Sequence, residues 1–87
     1  MDPDARPRLQ HARLRRRGDE VLLLAPERGF SLHGAAPAIL ALVDGSRTIA
    51  QIVDELVRDH AAPRETIESD VHALLEALAC RGLIRIS

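Results

Sequence analysis

Residues 21–48, VLLLAPERGFSLHGAAPAILALVDGSRT, decide the fold. Val21, Leu22, Leu23 and Leu24 form an apolar run of strand length. A run without polar alternation belongs to a central strand covered on at least one face. Pro26 ends it, because proline has no N–H to give to a ladder. Glu27-Arg28-Gly29 supplies a turn, and Phe30 to Leu32 a short further strand with Phe30 and Leu32 on one face. From residue 35 the period changes. Ala36, Ile39, Leu40 and Val43 fall on one side of a helix over residues 35–43. Pro37 is tolerated in its first turn, and Gly45 is expected to cap its end. The stretch combines no nucleophile with a base and holds no set of metal ligands. It reads as a scaffold for holding something.

Working outward, Glu20 to Ala25 is the middle strand. It is preceded by a Gly18-Asp19 turn and by Leu9 to Arg17, in which Ala12 and Leu14 face one way and Arg13 and Arg15 the other. Residues 1–8 contain Pro3 and Pro7 and read as a flexible arm, leaving 9–87 as a single domain. Downstream, Thr48 and Gln51 fit a capping box. The helix behind it carries Ile49, Ile52, Val53, Leu56 and Val57 at helical spacing, and His60-Ala61-Ala62-Pro63 breaks it. A third helix starts near Pro63, carries Ile67, Val71, Leu74, Leu75 and Leu78, and is closed by Gly82. Leu83 to Ile86 is either a short terminal strand or a packed tail. The sum is an α+β fold: a three-stranded antiparallel sheet followed by three helices, similar in order to a winged helix-turn-helix.

Eighty-seven residues suit one small core, in which only about 60% of the unfolded surface is removed from water. With 46% apolar and 29% charged residues the composition is globular and argues against disorder. Phe30 is the lone aromatic residue, so Leu, Ile, Val and Ala must make the core. Every basic residue other than histidine is arginine. Arg6, Arg8, Arg13, Arg15, Arg16 and Arg17 precede an acidic body, although the net charge is only −1. That basic segment is either a solvated terminus or a means of steering an acidic partner. Cys80 is single and excludes an internal disulfide framework; near a helix end it reads as a buried, inert thiol. No apolar run reaches the ~20 residues of a membrane span and no signal peptide is visible, so a cytoplasmic protein without membrane attachment is expected.

The residues that carry chemistry elsewhere are scattered here. His11, His33, His60 and His72 have no metal-ligand spacing, and no phosphate loop or catalytic set occurs. Neither an enzyme nor a cofactor is expected. His33, ahead of the first helix, is either a surface residue or a ligand contact at the end of the third strand. Duplex binding is disfavoured because the third helix carries Glu65, Glu68, Asp70 and Glu76, which repel phosphates. A strand edge remains. The third strand has free N–H and C=O groups that a peptide can complete as a fourth strand. Ile67, Val71 and Leu74 either wall that groove or are plain core. Exposed edges also permit pairing with a second copy, so monomer and dimer both stay open.

The segments RPRLQHARLR, VLLLAPERGFSL, AILALVDGSRTIAQIVDEL and IESDVHALLEALACRGL resemble the pyrroloquinoline quinone biosynthesis protein D family, PqqD, from Pro7 to Leu83. The pairing of LLAPER with DGSRT at this spacing is the specific part. The resemblance implies a peptide chaperone that binds a ribosomal precursor peptide, PqqA, and presents it to a radical S-adenosylmethionine enzyme, PqqE, which crosslinks a Glu and a Tyr. It implies peptide binding at Gly29, Phe30, Ser31, Leu32 and His33, with Ile67, Asp70, Val71 and Leu74 opposite. Two departures stand out: a short first hairpin over Arg15–Glu20, and His33 where the family commonly has a polar cap. A relative serving another ribosomal-peptide pathway, lasso-type for example, is one alternative; a small winged-helix DNA-binding protein, with the basic strand hairpin as its wing, is the other.

Overall fold

A computed structural model describes residues 2–86; Met1 and Ser87, which open the arm and close the domain of the sequence reading, lie outside the described residues. The order of elements is β1 (Pro7–Leu9), β2 (Arg13–Arg17), β3 (Glu20–Ala25), β4 (Arg28–Leu32), α1 (Ala36–Ala41), α2 (Ile49–Asp59), α3 (Arg64–Cys80) and β5 (Ile84–Ile86). Strands β2, β3 and β4 form an antiparallel sheet with β3 in the middle, and β1 pairs with β5 in a separate two-stranded ribbon. The α+β architecture matches the sequence expectation, with the ribbon added.

The sheet has one core face. Leu14, Leu23 and Phe30 lie side by side across the three strands, and Leu23 is completely buried. Against it pack Ile39 and Leu40 of α1, Ile49, Ile52, Val53 and Leu56 of α2, and Ile67, Val71, Leu75 and Leu78 of α3. Each full burial of such a side chain contributes about 1.5–3 kcal/mol. The predicted stripes of α2 and α3 are therefore the core stripes, with Val57 and Leu74 at their half-buried margins.

Helix α2 begins as its sequence announces. The Thr48 hydroxyl accepts from the Gln51 N–H at 3.1 Å and the Gln51 side-chain Oε1 accepts from the Thr48 N–H at 2.8 Å. The two remaining free donors of the first turn are met by the N-terminal segment. Ile49 N–H donates to the Ala5 carbonyl at 2.9 Å, and Ala50 N–H to that of Pro3 at 3.0 Å. This corrects the expectation of a flexible arm over residues 1–8. Proline cannot donate, but its carbonyl is a full acceptor, and an open helix N-terminus needs acceptors. Ala5 and Pro7 are buried, and β1 starts inside the supposed arm. The single strand expected over Leu9–Arg17 is likewise two, broken at His11, whose φ of 55° interrupts the extended chain.

Two other boundaries differ. The hairpin turn is Pro26-Glu27 and not Glu27–Gly29, since Arg28 already pairs with Ala25. Helix α1 ends with Leu42 as its C-cap, so Gly45 does not cap it. Gly45 instead takes φ 84° in a turn that brings its N–H to the Pro7 carbonyl at 3.0 Å. A Cβ there would stand 3.3 Å from that of Arg8. Gly82 does close α3, at φ 70°. Its N–H donates to Ala79 and the Leu83 N–H reaches back to Leu78 at 2.9 Å, the two bonds of a Schellman ending. That turn sends the chain into β5.

Candidate functional site

The edge strand β4 is the candidate site. Its two-residue turn makes Ala25 and Arg28 the closing hydrogen-bonded pair, and pairs alternate along an antiparallel ladder. Phe30 and Leu32 therefore bond inward to Leu23 and Val21. The N–H and C=O groups of Gly29 and Ser31 point outward. Neither residue makes a backbone hydrogen bond outside the sheet among the described residues. The β2–β3 turn gives the same parity independently. It makes Leu22 bond to Arg15 and leaves Leu22 opposite Ser31 as a non-bonded pair. Four backbone groups are thus free on one edge.

Alongside that edge runs α3. At its N-terminal half an open groove of ≈ 420 Å³ is lined by His33, Ala36, Ile39, Asp70, Ala73 and Leu74, among others. At the other end, Phe30 and Arg28 of β4 face Arg81, the C-cap of α3, beside a depression of ≈ 550 Å³. The groove is mostly apolar with Asp70 on its wall, whereas the depression carries Arg28 and Arg81 together with Glu27.

The residues expected at the site fall into three groups. Gly29, Ser31 and His33 are exposed along the edge, while Phe30 and Leu32 are half-buried on its core side. Asp70 is exposed and Leu74 half-buried, both on the groove wall. Val71 is completely buried and Ile67 nearly so. Val71 is core and does not line the groove: it shares its stripe with Ile67, Leu75 and Leu78, one helical position away from Asp70 and Leu74. Ile67 lines an apolar hollow of ≈ 80 Å³ with Leu56 and Ala62, which adjoins the groove through Ala35, Ile39 and Asp70. Sequence reasoning missed Ala36, Ala73, Arg28 and Arg81. Ala73 had a signal, three positions from Asp70 and beside Leu74; Arg81 had none, because its neighbour Phe30 is distant in sequence. Cys80, expected to be buried, is exposed, since it lies off the core stripe.

The far face of the sheet carries Arg13, Arg15 and Arg17, all exposed, so the basic charge is held on β2 away from the groove. Among the described residues no group of three His, Cys, Asp or Glu side chains is placed to hold a metal. No helix among the described residues is long and apolar enough to cross a membrane.

Residues 20–84, which contain both β4 and α3, match the family model described as Coenzyme PQQ synthesis protein D (PqqD). The chain belongs to the PqqD family. A relative from Gluconobacter oxydans named PqqA binding protein is 44% identical over 77 residues, covering 88% of this chain and 77% of that one. Among solved structures, the PqqD truncation of Methylobacterium extorquens PqqCD, described as a stand-alone recognition element for ribosomally synthesized and post-translationally modified peptides, superposes with a TM-score of 0.77. It is 39% identical, and the match covers 91% of this chain and 87% of that one. TbiB1 in complex with the TbiA(beta) leader peptide has the same TM-score of 0.77 at 26% identity, over 90% of this chain and 94% of TbiB1. The PqqD fold thus recurs in a protein whose structure holds a leader peptide.

Proposed function

We propose that this chain is a peptide-binding adaptor of pyrroloquinoline quinone biosynthesis. It takes up a PqqA-like precursor peptide and presents it to the modifying enzyme, a radical S-adenosylmethionine enzyme of the PqqE kind. The observation that carries this reading is the open edge of β4, with the outward groups of Gly29 and Ser31 next to an apolar groove on α3. A peptide strand added there completes the unpaired ladder and lays alternate side chains against Leu32, Leu74 and Ala73. Backbone pairing supplies affinity and the groove supplies register. The name of the Gluconobacter relative, a PqqA binding protein, supports the choice of ligand. The adaptor carries no chemistry of its own in this reading, and the peptide must leave after modification, so a modest, reversible complex is expected.

An amide-resolved NMR titration with the precursor peptide PqqA tests it. Shifts gathered on Gly29 to His33 and on Asp70, Ala73 and Leu74 are expected. No shifts with peptide at about millimolar concentration, where even a binding energy near 4 kcal/mol gives half-saturation, would remove the peptide reading.

A further inference from the structure

Two guanidinium groups approach the Phe30 ring. Arg28 stands 5.8 Å and Arg81 5.7 Å from its centroid. Arg81 is fixed in part by donating from Nη1 to the Ala77 carbonyl at 3.3 Å. Neither arginine has an ion-pair partner among the described residues, whose ion pairs involve only Arg47 and Arg64. Glu27 borders the same depression without pairing to either. Two exposed cations thus lie within cation–π reach of one ring beside the depression, with their outward hydrogen-bond donors unused. Stacking on a ring orients a guanidinium and leaves its N–H fork free for a carboxylate.

We propose that Arg28, Phe30 and Arg81 form the seat for an acidic side chain of the docked peptide. This rests on the strand-addition reading and gives it a sequence. A strand laid antiparallel on β4 begins at the Leu32 end and finishes at the Arg28 end. Its residues opposite Leu32, Phe30 and Arg28 turn their side chains toward α3. An apolar residue opposite Leu32 meets Leu74 and Ala73, and an Asp or Glu four positions later, about 14 Å along the strand, meets the two arginines. Asp70 at the opposite end repels an acid placed there. The charges therefore also set the direction and register of the peptide, by repulsion as much as by attraction.

The test uses the whole protein, PqqA, and a set of PqqA variants in which each Asp or Glu is changed in turn to Asn or Gln, with affinities from calorimetry. One acid, four residues after an apolar position, should weaken binding by about fivefold when neutralised, the size of a well-formed exposed charge pair. Arg81→Met should weaken PqqA equally and no longer distinguish that acid from its amide. Two exposed variants, Arg81→Met and Arg28→Met, guard against a folding defect in either. If PqqA binds but no acid matters, or if Arg81→Met weakens acid and amide peptides alike, the carboxylate seat is overturned while the adaptor reading stands. If the unaltered protein binds no PqqA, both fall together.

Discussion

Proline at position 31 separates an edge that binds from an edge that is merely exposed. Ser31 lies in a non-bonded pair with Leu22, so its N–H points out of the sheet and contributes nothing to the β3–β4 ladder. Ser31→Pro removes that donor and puts ring atoms on the edge, but keeps every internal sheet bond. The fold should lose less than about 1 kcal/mol. A docked peptide loses one hydrogen bond and keeps an unpaired carbonyl, a cost of about 1–3 kcal/mol. Its affinity should then fall by roughly five- to 150-fold. Leu32→Pro is the paired control. The Leu32 N–H bonds inward to Val21, so that change should lower the melting temperature as well. The assay is calorimetric titration with PqqA beside a thermal melt of each variant. A folded Ser31→Pro protein that binds PqqA like the parent refutes strand addition at β4.

Three further outcomes follow from the geometry. Val71→Asp should unfold the protein, since an unpaired carboxylate at a fully buried position costs at least about 3 kcal/mol, whereas Leu74→Asp should stay folded and lose peptide binding; a folded, binding-competent Val71→Asp would show that the core is misassigned. Thr48→Ala removes the hydroxyl half of the capping box, leaving the backbone N–H at position 48 for the Gln51 side chain, and should cost about 1 kcal/mol in denaturant unfolding; an unchanged midpoint would mean that this remaining half, with Pro3 and Ala5, holds the helix end. The Asp44 carboxyl is held below its ordinary value of 3.8, first by the Ser46 backbone N–H, then by the Ser46 hydroxyl and the Arg47 charge. A depressed folded pKa contributes stability above the unfolded value that is lost as pH falls through the folded one. Asp44→Asn should therefore flatten the acid limb of stability below about pH 4, and superimposable acid limbs for parent and variant would contradict that assignment.

Much of the fold was legible because its signals are local. The middle strand Glu20–Ala25 was read to the residue from its apolar run and Pro26, the start of α2 from Thr48 and Gln51, and the end of α3 from Gly82. Each signal acts within about one turn or one hairpin. The candidate site was legible in part. Strand order alone put Gly29 to Leu32 on an outer strand, but Val71 and Leu74 could not be sorted, because a stripe of apolar residues does not say which margin the neighbouring element covers. The N-terminal arm was misread because its proline content speaks only about helix, while its carbonyls are recruited by a helix end more than forty positions away.

By itself the sequence determined which segments extend, which coil and where they stop, since backbone preference and hydrophobic period are written within a few residues. It also determined that Phe30 would be the sole ring available. Only the tertiary structure decided that β1 closes against β5, that Val71 faces the core while Leu74 lines the groove, and that Arg81 and Arg28 both come within reach of the Phe30 ring. Those outcomes depend on how elements distant in the chain share one small core. Burial drives that choice, and burial is proportional to area without regard to sequence order.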